Sequence, residues 1–154
     1  MKFLQNALLV GLIFIACAIT MAVAGEDEAV KKTMAGLQGN WSMVSGERDG
    51  QPLPTAMLSG SKRVAEGDQV TVTIDGELFL KARFTIDPSK KPATIDYAVT
   101  DGIHKGKTQL GIYELDGATV KFCFATPGKP RPTDFTTKPQ SGRTSSVWKR
   151  EPKN

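Results

Sequence analysis

Side chains that do chemistry are scarce in this chain of 154 residues, which holds one histidine, two cysteines, two tyrosines and two tryptophans. Cys17 lies in an apolar N-terminal run. Once that run is removed only Cys123 remains, so no intramolecular disulfide can form and a disulfide-built extracellular scaffold is excluded. Cys123 sits in the apolar stretch Val120 to Ala125 and reads as a small hydrophobe in or beside a core. The lone histidine, His104, falls in the loop Asp101 to Gly106 and reads as a surface residue. A zinc site around it would have to draw on distant carboxylates, so neither metal nor cofactor is expected. No serine occupies a nucleophile elbow, and Gly106-Lys107-Thr108 lacks the glycine-rich turn that cradles phosphate. An enzyme is left with isolated carboxylates and His104 to argue for it.

A strong excess of one charge is also missing. The formal net charge is +4, from 20 basic and 16 acidic residues, too modest to imply nucleic acid as a partner. Lys31-Lys32, Lys62-Arg63, Lys90-Lys91 and Lys149-Arg150 are scattered pairs interleaved with acids, the pattern of a solvated surface. Only Lys129-Pro130-Arg131, followed by Lys138 and Arg143, is dense enough to suggest contact with an anion or an acidic surface.

What is present begins at the N-terminus. Lys2 precedes an almost unbroken apolar run from Leu8 to Ile19, and Ala22-Val23-Ala24 supplies the small residues that a signal peptidase reads. Residues 1–24 are therefore expected to be a signal peptide. Cleavage after Ala24 leaves 25–154 as one domain, periplasmic or secreted, with no membrane span. Two alternatives remain: an uncleaved anchor, since Leu4 to Ala24 is long enough to span a bilayer, and lipidation at Cys17, where Phe14 occupies a position that prefers leucine.

From Glu26 to Leu37 the order of charges and the spacing of Ala29, Val30, Met34 and Leu37 predict a short helix, ended by Gly39. Eight strands follow: Trp41–Glu47, Lys62–Ala65, Gln69–Ile74, Leu78–Ile86, Thr94–Val99, Lys107–Leu115, a segment around Val120–Phe124, and Ser145–Arg150. Alternation at Val70, Val72 and Ile74, and turn signals at Asp49-Gly50, Asp75-Gly76 and Asp116-Gly117, make this an antiparallel meander. Eight such strands most simply bury their inner row by closing into a barrel, with a two-sheet sandwich as the competing arrangement. The fold class expected is all-β: an eight-stranded antiparallel meander barrel with a short N-terminal helix. The segments Gln51–Gly60 and Thr126–Gly142 are long enough to cover an opening. Gln51–Gly60 also has room for a single helical turn.

Several segments together carry a resemblance. Leu37-Gln38-Gly39-Asn40-Trp41 and Val44 to Pro54, then Asp87-Pro88 with Lys91-Pro92, Gly106-Lys107-Thr108, Gly111 to Leu115, Pro127 to Pro132 and Trp148-Lys149-Arg150 are similar to an uncharacterised family of lipocalin-like domains. That family is described mainly from planctomycete bacteria. The resemblance implies a lipocalin-like barrel, frequent in secreted or envelope proteins, and transfers no catalytic or binding residue. More distantly, Gly39-Asn40-Trp41 resembles the Gly-x-Trp of true lipocalins, in which a basic residue of the last strand packs across the indole. That likeness implies a structural closure pair of Trp41 with Arg150, or with Lys149 as the alternative. The paired cysteines common in lipocalins are absent.

Two strand carboxylates, Asp96 and Glu114, draw notice. Glu114 shares the parity of Leu110 and Ile112 and is expected to point inward, where a buried acid needs a partner. Arg131 or an inward tyrosine would serve, so Glu114 reads as one half of a structural buried or rim ion pair, with a ligand-orienting or catalytic acid as the alternative. In that alternative Glu114, Tyr97 and Arg131 are the candidate ligand contacts. The expected inner row, Val70, Val72, Ile74, Leu80, Phe84, Ile86, Tyr97, Ile112, Phe122 and Phe124, is bulky and favours a packed interior over a shallow apolar pocket at one mouth. Two functions compete. One is an exported, non-enzymatic binding or interaction module for a small apolar molecule or an envelope component. The other is a structural or protein-interaction domain with a filled barrel.

Overall fold

The computed structural model describes residues 24–153, so the expected signal segment, apart from Ala24, and Cys17 lie outside the described residues. Helix α1 covers 24–37. Acids near its start and lysines further on complement the backbone dipole, while one face turns Met34 and the fully buried Leu37 inward. Gly39, at φ +98°, adopts a backbone conformation that a side chain rarely tolerates, and this turns the chain from the helix into the first strand.

The strands are β1 (Gly39–Arg48), β2 (Gln51–Pro52), β3 (Ser61–Glu66), β4 (Gln69–Ile74), β5 (Glu77–Asp87), β6 (Ala93–Gly102), β7 (Thr108–Asp116), β8 (Thr119–Ala125) and β9 (Arg143–Arg150). A second helix, α2 (Thr55–Gly60), follows β2. Each strand from β3 to β9 pairs antiparallel with the next, β1 pairs with β3, and β1 also pairs with β9 from Trp41↔Arg150 to Arg48↔Thr144. Eight strands thus close into a barrel with no free edge, and β2 only extends the end of β1. Asp49-Gly50 and Asp75-Gly76 both place two successive residues at positive φ, the backbone that matches strand twist in a tight hairpin.

Three side-chain placements differ from the sequence expectation. In β5, Thr73 opposes Leu78 while Val72 opposes Leu80, so Phe79 is an extra residue in a bulge. The bulge shifts the parity: Leu78, expected inside, is 45% exposed, and Phe79 packs against the core instead. In β7 the inward residues are Gly111, Tyr113 and Leu115, which leaves Glu114 exposed on the outer face opposite Lys121. Ile112 is buried, but not by the barrel interior. It pairs with Cys123, and both lie with Pro132 among the most deeply buried residues, under the segment 126–142. In β3, Ser61, Arg63 and Ala65 are buried while Lys62, Val64 and Glu66 are exposed. Lys62-Arg63 is therefore not a solvated pair, since strand alternation sends Lys62 to water and Arg63 inside.

Candidate functional site

The base of the barrel is built on the last turn of α1. The indole Nε1 of Trp41 donates to Leu37 O at 3.2 Å, and Arg63 Nη1 reaches the same carbonyl at 3.4 Å. Arg150 donates to Gly36 O and Gln38 O, and its guanidinium carbon lies 4.3 Å from the centre of the Trp41 ring. Helix C-terminal carbonyls lack intrahelical donors and carry partial negative charge, so two arginines and an indole are suitable partners there. Lys149, the alternative closure residue, is exposed.

Above this base, Arg63 projects into the barrel at 1% exposure. Its guanidinium carbon lies 5.0 Å from the Phe122 ring centre, but Nε and Nη2 are buried with no hydrogen-bond partner. Among the described residues no carboxylate forms an ion pair with it. Below it Leu37, Trp41, Val70 and Val120 are fully buried, whereas toward the opposite mouth the side chains leave a cavity of about 160 Å³ that Arg63 lines. Its walls are mainly apolar, with Met43, Val72, Phe79, Phe122, Phe124 and Trp148 prominent, and Leu53 and Met57 of the β2–α2 segment cover the mouth. Arg48 and His104 stand among the lining residues, and no Asp or Glu does.

The other polar groups of the lining are largely engaged. Ser61 Oγ donates to Met57 O at 2.6 Å, Trp148 Nε1 to Ser146 Oγ at 2.9 Å, and Gln109 Nε2 to Ala125 O at 3.4 Å. Burial, aided by Lys107 and Arg48, lowers the His104 pKa below its usual 6.5, so the ring is neutral at pH 7. Room for the Phe124 ring comes from Gly111, where a Cβ would fall 2.5 Å from Phe124 Cδ1. Phe124 in turn packs on Tyr97 with 4.4 Å between ring centres.

A second, wider depression of about 590 Å³ lies on the outer face between the Lys90-Lys91-Pro92 turn and Arg131-Pro132-Thr133. It is larger, but Arg131 within it is already occupied. Arg131 Nη1 stands 2.6 Å from Asp96 Oδ1 and donates to Gly111 O at 2.8 Å and Ile95 O at 3.3 Å. Arg131 is thus a pin that holds segment 126–142 on β6 and β7.

The three candidate contacts do not converge. Tyr97 lines the interior cavity, Arg131 lies on the outer face with Asp96 as its partner, and Glu114 is exposed beside neither of them. The residue missed by the sequence reading is Arg63. The available signal was the two-residue period of Ser61, Arg63 and Ala65, hidden because Val64 makes the opposite face look apolar.

Among the described residues no group of three or more His, Cys, Asp or Glu converges, and no helix is long and apolar enough to cross a membrane. No family model, curated protein or solved structure matches the chain.

Proposed function

We propose that this chain is an exported, non-enzymatic binding module that holds one compact small molecule inside its barrel. The observation that carries the reading is the cavity itself: about 160 Å³ left open among the side chains inside the barrel. That is below the roughly 300 Å³ at which drug-sized pockets begin. It is close to the roughly 150 Å³ of a cavity known to take one benzene-sized molecule. The occupant is therefore small, with an apolar body to match Met43, Val72, Phe79 and Phe124. Apolar walls with two arginines, and a single histidine that no lining carboxylate orients, suit holding rather than proton transfer. Export rests on the pattern of residues 1–24, and the resemblance to uncharacterised planctomycete lipocalin-like domains supports both parts of the reading.

Native mass spectrometry of the protein recovered from its own host tests this. The expected species is residues 25–154 carrying a single small molecule that is lost on gentle activation. A bare chain that stays bare after incubation with small aromatic probes would favour the alternative, a structural or protein-interaction domain. N-terminal sequencing of the same material should begin at Gly25. A start at Met1, or a lipid on Cys17, would overturn the cleaved-export part.

A further inference from the structure

Resting on the binding reading above, we infer that the occupant is an anion: a compact organic carboxylate whose charged end is gripped by Arg63. A guanidinium is always protonated in a protein and has five N–H donors. Here one nitrogen shares the Leu37 carbonyl and the ring of Phe122 faces the cation, while Nε and Nη2 are left without partners and closed off from the open part of the cavity, so a ligand reaches them by displacing the side chains between. Those two nitrogens occupy the same edge of the guanidinium plane, and that edge is the one that matches both oxygens of a carboxylate. Burying a charge without a counter-charge is costly, and among the described residues the protein supplies no carboxylate to offset it.

The rest of the cavity agrees in sign and in polarity. Arg48 lines it, with Asp49 4.0 Å away as its ion-pair partner, the His104 ring is neutral, and no acid is among the lining residues, so the net sign of the lining favours an anion. The apolar walls lie beside Arg63, so a ligand with a carboxylate at one end and a short hydrocarbon or single ring at the other satisfies both. The outer depression offers no such site, because Arg131 is paired with Asp96 and bonded to two backbone carbonyls.

Benzoate and benzamide have nearly the same shape and differ in charge, so they separate the anion inference from binding in general. Calorimetric titration of the protein should find benzoate tighter than benzamide by about tenfold or more, the ratio expected for a charge-assisted pair out of water. Arg63→Met should remove that preference, so that benzoate binds no tighter than benzamide. Should that variant not fold, the buried Nε–H resonance of Arg63 in the unaltered protein gives the same answer: it should shift with benzoate and stay put with benzamide. Equal affinity for the two probes would overturn the anion inference and leave the binding reading standing. Binding of neither, with the cavity holding only water, would overturn both.

Discussion

The guanidinium of Arg150, the last residue of β9, lies 4.3 Å from the centre of the Trp41 indole in β1, directly across the seam that closes the barrel. The two residues are also backbone partners in that seam, and both donate to the C-terminal turn of α1. One contact therefore joins first strand, last strand and helix. Trp41→Ala should cost about 3–5 kcal/mol, as for other large buried aromatics, and Arg150→Ala about 1–2 kcal/mol. In a double-mutant cycle the two losses should couple by about 0.5 kcal/mol or more. Additive losses would show that the stacking does not contribute.

Arg63 sets stability against use. Replacing a buried cation that lacks a counter-charge by an apolar side chain of similar length relieves the cost of keeping that charge out of water. Chemical denaturation of Arg63→Met should therefore give a midpoint at or above that of the unaltered protein. A loss of about 2 kcal/mol or more would mean instead that the Leu37 and Phe122 contacts hold the base together.

Segment 126–142 shields Cys123, whose thiol is pushed up to about 11 by burial. Native protein should be inert to a thiol-specific reagent and should unfold at the same midpoint with and without reductant. Arg131→Ala removes the pin to Asp96, Ile95 and Gly111, costing about 1–2 kcal/mol because the pair is partly hydrated. Labelling of Cys123 should then become measurable. An unchanged rate would show that the proline-rich segment is held by its other contacts.

Gly111→Ala introduces a methyl group 2.5 Å from the Phe124 ring. Because the ring rests on Tyr97, it can yield only by moving into the cavity. A cost of about 1–3 kcal/mol is expected, together with weaker binding of benzamide-sized probes. Unaltered stability and binding would place the Phe124 ring elsewhere in solution.

His104 is the only histidine, so its imidazole signals identify it without ambiguity in a pH titration. The midpoint should fall below 6.5, chiefly because burial disfavours the charged ring. Between that midpoint and 6.5 the unfolded chain binds more proton than the folded one, so stability rises with pH there. This contribution is fully present above 6.5 and is lost as pH falls through the folded midpoint. A midpoint above 6.5 would indicate a negative neighbour at the mouth.

The strands and their turns were legible because both signals are local. Asp-Gly at 49–50 and 75–76 dictates a tight reversal, and the alternation of Val70, Val72 and Ile74 marks a half-buried strand whatever it pairs with. Which face is inside is not a local property. Ile112 and Cys123 look like core because they are core, but of the layer between the barrel wall and segment 126–142, and a strand covered on both sides loses the contrast that tells its faces apart. That is why Glu114 was expected inward. Phe79 shows a second limit, since one bulged residue reverses the parity of everything before it and leaves no mark in composition. Arg63 shows the third: a lone basic residue in a short strand reads as surface until closure of β1, β3 and β4 puts its side chain over Trp41 and Leu37. Alternation and turn signals along the chain determined an antiparallel meander of eight strands, for which barrel and sandwich were both open. Only the closing, which brings residues far apart in sequence to share one interior, decided where the buried charge and the empty space would meet.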